Sequence, residues 1–304
     1  MMMSQNRVYN RVIQFFVNSL VGIFYFVAPI LPRKFLRAAA VVVITPIFLF
    51  RPKYRKAVVN NLRIILKPTP SDYVLNRLVF TLLCNFGRYF VDLFYFRKKS
   101  EETINLFLDE VHGVPDFEKT LSLGKGAVLL TAHLGNWELG GYFLGRKKLA
   151  INVVYFPDRF SKIESFRSQS RKEMHVKEIN VGEGTFAGLP IIRALRENEI
   201  VAMQGDRDFR GDGVPVRFFD RMVKFPSGPV MCAMAAKSPL VPVFILSTPQ
   251  GKYKIIAQPP LFTSGDLKNQ AHVQQNVQQV ATVIEQMILQ YPEQWYCFYP
   301  FFTP

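Results

Sequence analysis

Beyond residue 110, short β-type runs alternate with helical stretches, and this alternation admits few folds. The β-type runs lie at 127–131, 151–155, 199–203, 240–246 and 253–257. Helical stretches separate them, at about 137–146, 161–173, 185–197, 227–237 and 271–290. In the last, Val273, Val277, Val280, Ile284, Met287 and Ile288 recur at helical spacing. Strands that alternate with helices predict an α/β fold with a mainly parallel central sheet flanked by helices. In such sheets chemistry gathers at the carboxyl ends of strands. That rule directs attention to the loops after residues 131, 155 and 203.

The front of the chain has a different character. Residues 1–100 hold 16 Lys and Arg against two acids, Asp72 and Asp92, a net of +14 out of +15 for all 304 residues. These basic residues are interleaved with apolar stretches. One, at 12–31, carries no charge and is just long enough to cross a hydrocarbon core. A second, at 38–50, contains Pro46 and is too short to span. Apolar burial and Lys/Arg attraction to head groups add together at an anionic membrane surface, and no zinc-finger or RNP-type pattern speaks for nucleic acid. Basic flanks on both sides of both stretches favour shallow or hairpin insertion from the cytoplasmic face over a single crossing. The alternative is that 12–50 forms buried helices of the body. The expected division is 1–50 as apolar membrane-associated helices and 51–304 as the α/β domain. After Pro68-Thr69-Pro70, Ser71 is a helix N-cap for a long apolar helix over 72–97, with Phe80, Leu83, Phe86, Phe90, Leu93 and Phe94 along one broad face. Cys84, Cys232 and Cys297 are scattered and odd in number, which fits small buried hydrophobes in a reducing compartment.

The loop after 131 reads AHLGNWELGG. His133 follows the strand, Gly135 permits a sharp turn, and Asn136 is a good N-cap for a helix starting at Trp137. That would put Glu138 in the first helical turn, folded back toward His133. A neutral imidazole can take the proton of a hydroxyl as it attacks a carbonyl. A carboxylate on the other ring nitrogen fixes the tautomer and stabilises the imidazolium. No G-x-S-x-G elbow is present, so the acceptor itself would be the nucleophile. His112, His175 and His272 fit no site, and no histidine pair has metal-ligand spacing.

Asp206, Arg207, Asp208 and Arg210 form a charged cluster after a strand. Arg forks suit phosphate oxygens, but a surface salt-bridge loop has the same composition. Arg159, Arg167 and Arg171 follow the strand at 151–155 and are open to the same two readings, phosphate contact or solvated helix face. Val181-Gly182-Glu183-Gly184-Thr185 matches no P-loop and reads as a turn.

With these blocks in order, the sequence resembles the lysophospholipid acyltransferase superfamily, and within it the late acyltransferases of lipid A biosynthesis. The resemblance covers about 51–295 and rests on GAVLLTAHLGNWELGG, VAMQGDRDFRGDGVPVRFFD, SPLVPVFIL and YPEQWY. It implies transfer of a fatty acyl chain from an acyl-carrier-protein or acyl-CoA thioester to a hydroxyl of a membrane lipid. The implied acceptor is a lipid A precursor or related glycolipid, with no metal or other cofactor. It also implies a bacterial inner-membrane enzyme whose catalytic domain faces the cytoplasm. His133 and Glu138 would be the catalytic pair. Asn136, Asp206, Arg207, Arg210, Arg159 and Arg171 would meet substrate. One departure concerns the ending: the family's His and Arg-rich tail after the Trp is here Tyr296-Cys297-Phe298-Tyr299-Pro300-Phe301-Phe302. That leaves the acceptor open, a lysophospholipid included. A thioesterase, and a non-catalytic lipid-binding peripheral protein, are the competing readings.

Overall fold

The computed structural model describes residues 19, 21–144, 149–157, 161–182 and 188–302. A helix over 21–27 (α1) leads through a turn to α2 (Arg33–Phe50), α3 (Pro52–Ile65) and α4 (Asp72–Tyr95). The α/β body follows: α5 (Glu101–Asn105), β1 (Leu108–His112), α6 (Val114–Leu121), β2 (Ala127–Thr131), α7 (Leu139–Leu144), β3 (Ile151–Tyr155) and α8 (Ser161–Glu173). Next come β4 (Lys177–Asn180), α9 (Gly188–Arg196), β5 (Ile200–Gln204), β6 (Val214–Phe218), β7 (Arg221–Phe225) and α10 (Gly228–Ala236). The chain ends with β8 (Leu240–Ser247), β9 (Tyr253–Ala257), α11 (Gln270–Gln290) and a 3-10 turn, Pro292–Gln294.

Seven strands form one sheet in the order β1-β9-β8-β2-β5-β3-β4. All pairings are parallel except β8 with β9, so the α/β expectation with a mainly parallel sheet holds. Side chains alternate across it. Val128, Leu130, Val201 and Phe244 enter a core with α3, α4 and α11, whereas Leu129, Ile151, Ile200 and Val241 enter a second core with Leu139, Tyr142 and Phe143 of α7. All six apolar positions expected on α11 are buried. β1 and β4, at the two edges, and the β6–β7 hairpin were not expected from the sequence; β1 is almost wholly exposed, so it lacks an apolar alternation.

Ser71 caps α4 as expected, its hydroxyl accepting from the Val74 amide. Of the face expected on α4, Leu83, Leu93 and Phe94 are buried, and the buried surface extends beyond it. Leu82, Tyr89 and Asp92 are buried, while Phe80, Phe86 and Phe90 are only partly so. The cause is that α4 is wedged between α2 and the C-terminal 3-10 turn, so two sides need partners. It is the one helix among the described residues long and apolar enough to cross a membrane, and half of it is buried in the body.

The apolar stretch at 12–31 lies partly outside the described residues. Its remainder is not one straight helix, because helical structure stops at 27 and turns follow at 28–30. α2 buries only Arg33, Leu36 and Ile44, so it is not an internal core helix. It meets α3 at an 89° bend. Phe35, Val42, Val43 and Phe50 stand exposed along it, Val42 by 72% and Phe50 by 76%.

Candidate active site

Parallel pairing of neighbouring β2 and β5 sets Thr131 opposite Gln204. Two residues further on, His133 and Asp206 meet: His133 Nδ1 lies 2.8 Å from Asp206 Oδ1, and the His133 amide donates to the same oxygen at 3.1 Å. Asp206 Oδ2 accepts from Trp295 Nε1 at 3.2 Å. A carboxylate only accepts here, so Nδ1 carries the ring proton and Nε2 holds the lone pair.

The loop is held by backbone geometry. Gly135 has φ +69°, and a Cβ there would lie 2.1 Å from the Ile245 carbonyl oxygen. The expected sharp turn is therefore real, and no other residue fits it. The Gly135 amide donates to the Gln294 carbonyl, and the Tyr296 amide donates to the His133 carbonyl. The C-terminal segment thereby clamps both sides of the loop and delivers Trp295 to Asp206.

Burial is the largest influence on His133 and lowers its pKa. Asp206 acts against it, and the charges of Arg207 and Arg167 add to the lowering. The ring is neutral at neutral pH. Burial pushes the Asp206 carboxyl up, but His133, Arg207 and the Trp295 N–H outweigh it and hold the group well below the usual carboxylate range.

The structure corrects the expected pairing of His133 with Glu138. α7 begins at Leu139, not Trp137, and Glu138 sits in the preceding turn. Its carboxylate accepts from Arg171 at 3.1 Å and lies 3.6 Å from Arg167; no hydrogen bond joins it to His133 among the described residues. Burial raises the Glu138 pKa, and Arg171 and Arg167 more than reverse that. A buried carboxylate requires cationic partners, and α8 supplies them. Asn136 is also corrected. It is buried, its amide donates to the Tyr253 hydroxyl at 3.2 Å, its Oδ1 has no partner, and it is absent from the wall of the main cleft. It shapes the loop and caps nothing with its side chain.

A cleft of about 1150 Å³ opens beside His133. Trp137 and Phe209 hold the imidazole edge-on, with ring centroids 5.2 and 6.0 Å away. Arg207 and Arg210 line the cleft, and each donates inward to a carbonyl, of Tyr296 and Val181 respectively. Arg171 lines it too, bridging Glu138 and Glu178. It is not the solvated helix face considered above: only 5% of its side chain is exposed. Arg159 lies outside the described residues. The Asp206–His133 contact was missed because β3 and β4 intervene in sequence between β2 and β5. The available signal was that both residues stand just past a strand end.

A strand-end imidazole with a buried carboxylate beside a large cleft defines a hydroxyl- or water-activating transferase or hydrolase centre. The sequence matches the family described as bacterial lipid A biosynthesis acyltransferase over residues 3–303, and the chain belongs to that family. It is an acyltransferase. Curated relatives include phosphatidylinositol mannoside acyltransferases of Mycobacterium tuberculosis strains CDC 1551 / Oshkosh and ATCC 25618 / H37Rv. Each is 26% identical over 234 residues, covering 76% of this chain and 72% of the relative. The enzyme of that name from Mycolicibacterium smegmatis is 25% identical over 245 residues, covering 79% and 77%.

Proposed function

We propose that this enzyme moves a fatty acyl chain from a thioester, acyl-carrier protein or acyl-CoA, to a hydroxyl of a membrane glycolipid. His133 is the general base and Asp206 its orienting carboxylate. The observation that carries this reading is the neutral imidazole, bonded through Nδ1 to buried Asp206, on the wall of a largely apolar cleft. His133 Nε2 takes the acceptor hydroxyl proton as that oxygen attacks the thioester carbonyl carbon. The tetrahedral intermediate then collapses, the C–S bond breaks, and the leaving thiolate takes the proton from the imidazolium. Asp206 stabilises the imidazolium while it exists. Arg207 and Arg210 offer positive charge on the cleft wall for phosphates of the donor or acceptor. Glu138 and Arg171 serve as an ion pair that holds the turn before α7 to α8.

The acceptor is a sugar-bearing lipid, of the lipid A precursor or phosphatidylinositol mannoside kind. The family description and the relatives' names support this class. The enzyme works at the cytoplasmic face of the bacterial inner membrane, where acyl thioesters are made. The exposed apolar residues of α2, with exposed Lys34, Arg51, Lys53 and Lys56 around them, are suited to an anionic interface. α1 packs on α8, whose Glu164, Arg167 and Arg171 line the cleft, through Tyr25 stacked on Phe166 at 3.9 Å between centroids.

Labelled acyl-CoA and acyl-carrier protein, incubated with the purified chain and glycolipid in vesicles, test the proposal. Labelled glycolipid is expected. Free fatty acid as the sole product would replace it with a thioesterase, and no turnover with either donor would defeat it.

A further inference from the structure

A small polar cavity lies behind the His133 loop, on the side of α2 and α4. Arg37, Arg88, Asn136, Tyr253 and Gln294 border it and are absent from the wall of the main cleft; Tyr296 touches both. The cavity volume is about 10 Å³, room for one water. Asn136 is only 2% exposed, and its Oδ1 has no hydrogen-bond partner. α4 comes close to α2 here, since a Cβ on Gly87 would lie 3.0 Å from Ile44 Cγ1, and Arg88 follows Gly87 directly. At 3.6 residues per turn, Arg37 falls between the buried Leu36 and Ile44 and the exposed Lys34 and Ala38. The cavity thus lies where the packed face of α2 gives way to its exposed one.

The charges around this cavity do not balance. Asp92 is taken by Arg33 in a bidentate pair at 2.6 and 2.7 Å. Among the described residues, Arg37 donates only to the Gly251 carbonyl, at 2.8 Å, and Arg88 only to Asn85 Oδ1, at 3.1 Å. Both are half-buried. Burial is the largest influence on Arg37 and lowers its pKa; Asp92 offsets part of this, and the charges of Arg33 and Arg88 add to it. A guanidinium keeps its proton under such pressure, so what the site calls for is an anion.

We infer that Arg37 and Arg88 hold the phosphate of an anionic membrane lipid at the mouth of this cavity, behind the His133 loop. This rests on the interfacial placement of α2 proposed above and not on the transfer reaction. Arg forks present paired N–H donors to phosphate oxygens. A water on the cavity floor donates one hydrogen to Asn136 Oδ1 and the other to a phosphate oxygen, which gives the buried acceptor its donor. A lipid is the source because Phe35, Val42 and Phe50 stand exposed on the same helix, and seating them in an interface brings head groups to Arg37. The ligand then sits one water away from Asn136, three residues after His133.

The test is calorimetric titration of the purified full chain with dihexanoyl phosphatidic acid below its micelle concentration, so that no membrane is needed. Arg37→Met and Arg88→Met are each expected to weaken binding about tenfold or more, the loss of a hydrogen-bonded charge, with melting curves to confirm folding. Arg88 bonds only within α4, so Arg88→Met leaves the helix packing in place. Arg210→Met in the main cleft, and Lys53→Met with Lys56→Met on the exposed side of α3, are expected to change affinity about twofold or less. Inorganic phosphate at equal concentration is expected not to displace the lipid. The inference is overturned if wild type shows no saturable binding, or if both Arg37→Met and Arg88→Met bind as wild type does. It is equally overturned if Arg210→Met or the lysine pair weakens binding as much as Arg88→Met, or if inorganic phosphate displaces the lipid. None of these readouts needs turnover, so their failure leaves the transfer reaction standing.

Discussion

His133 and Asp206 each stand two residues beyond a pair of strand residues held in register, Thr131 opposite Gln204. Their 2.8 Å contact is thus a consequence of sheet pairing, not of the short His133–Glu138 spacing.

Asp206→Asn should preserve the fold and lower kcat by about 10³- to 10⁴-fold, the scale seen when a catalytic imidazole loses the carboxylate that sets its tautomer. Saturating thioester kinetics, with a melting curve to confirm folding, check this. A variant retaining most of wild-type kcat would show that Asp206 does not orient the base.

Trp295→Phe removes a single N–H donor from the Asp206 carboxylate. A hydrogen bond to a charged group contributes about 1.5–3 kcal/mol, so kcat should fall by roughly ten- to a hundredfold. The effect should vanish when tested in the Asp206→Asn background, because the charge it supports is gone.

The pH dependence has a definite sign. Burial lowers the His133 pKa below the ordinary imidazole value of about 6.5. kcat/KM should therefore fall on acidification with an inflection below that value, and be level at neutral pH. Asp206 opposes the lowering, so Asp206→Asn should move the inflection further toward acid. A shift toward alkaline pH would contradict the assignment.

Glu138 and Arg171 should behave as a structural pair. Single Glu138→Gln and Arg171→Met changes, compared with the double variant, should show a coupling of about 1–3 kcal/mol in denaturant unfolding. The inflection of the pH profile should stay close to that of wild type. Loss of transfer with full stability would instead place Glu138 on the substrate.

The α2 surface should govern membrane association separately from chemistry. Val43→Glu combined with Phe50→Glu should reduce sedimentation with anionic vesicles at least tenfold, since each apolar side chain contributes about 1.5–3 kcal/mol on burial. Turnover of a micellar short-chain substrate should remain. Unchanged vesicle binding would mean that another surface docks.

The sequence by itself determined the α/β class, the buried strands, α11 and the strand-end position of His133. Each of these is written in local periodicity, apolar runs and turn chemistry, which need no distant partner. Gly135 belongs with them, because a positive φ selects glycine from the residue alone. Only the tertiary structure decided which acid serves the imidazole, since β2 and β5 are neighbours in the sheet while β3 and β4 lie between them in sequence. It also turned Glu138 toward Arg171 and brought Trp295, near the end of the chain, to Asp206. Short spacing limits where a side chain can reach, but strand order and the demand of each buried charge for a partner choose among the possibilities.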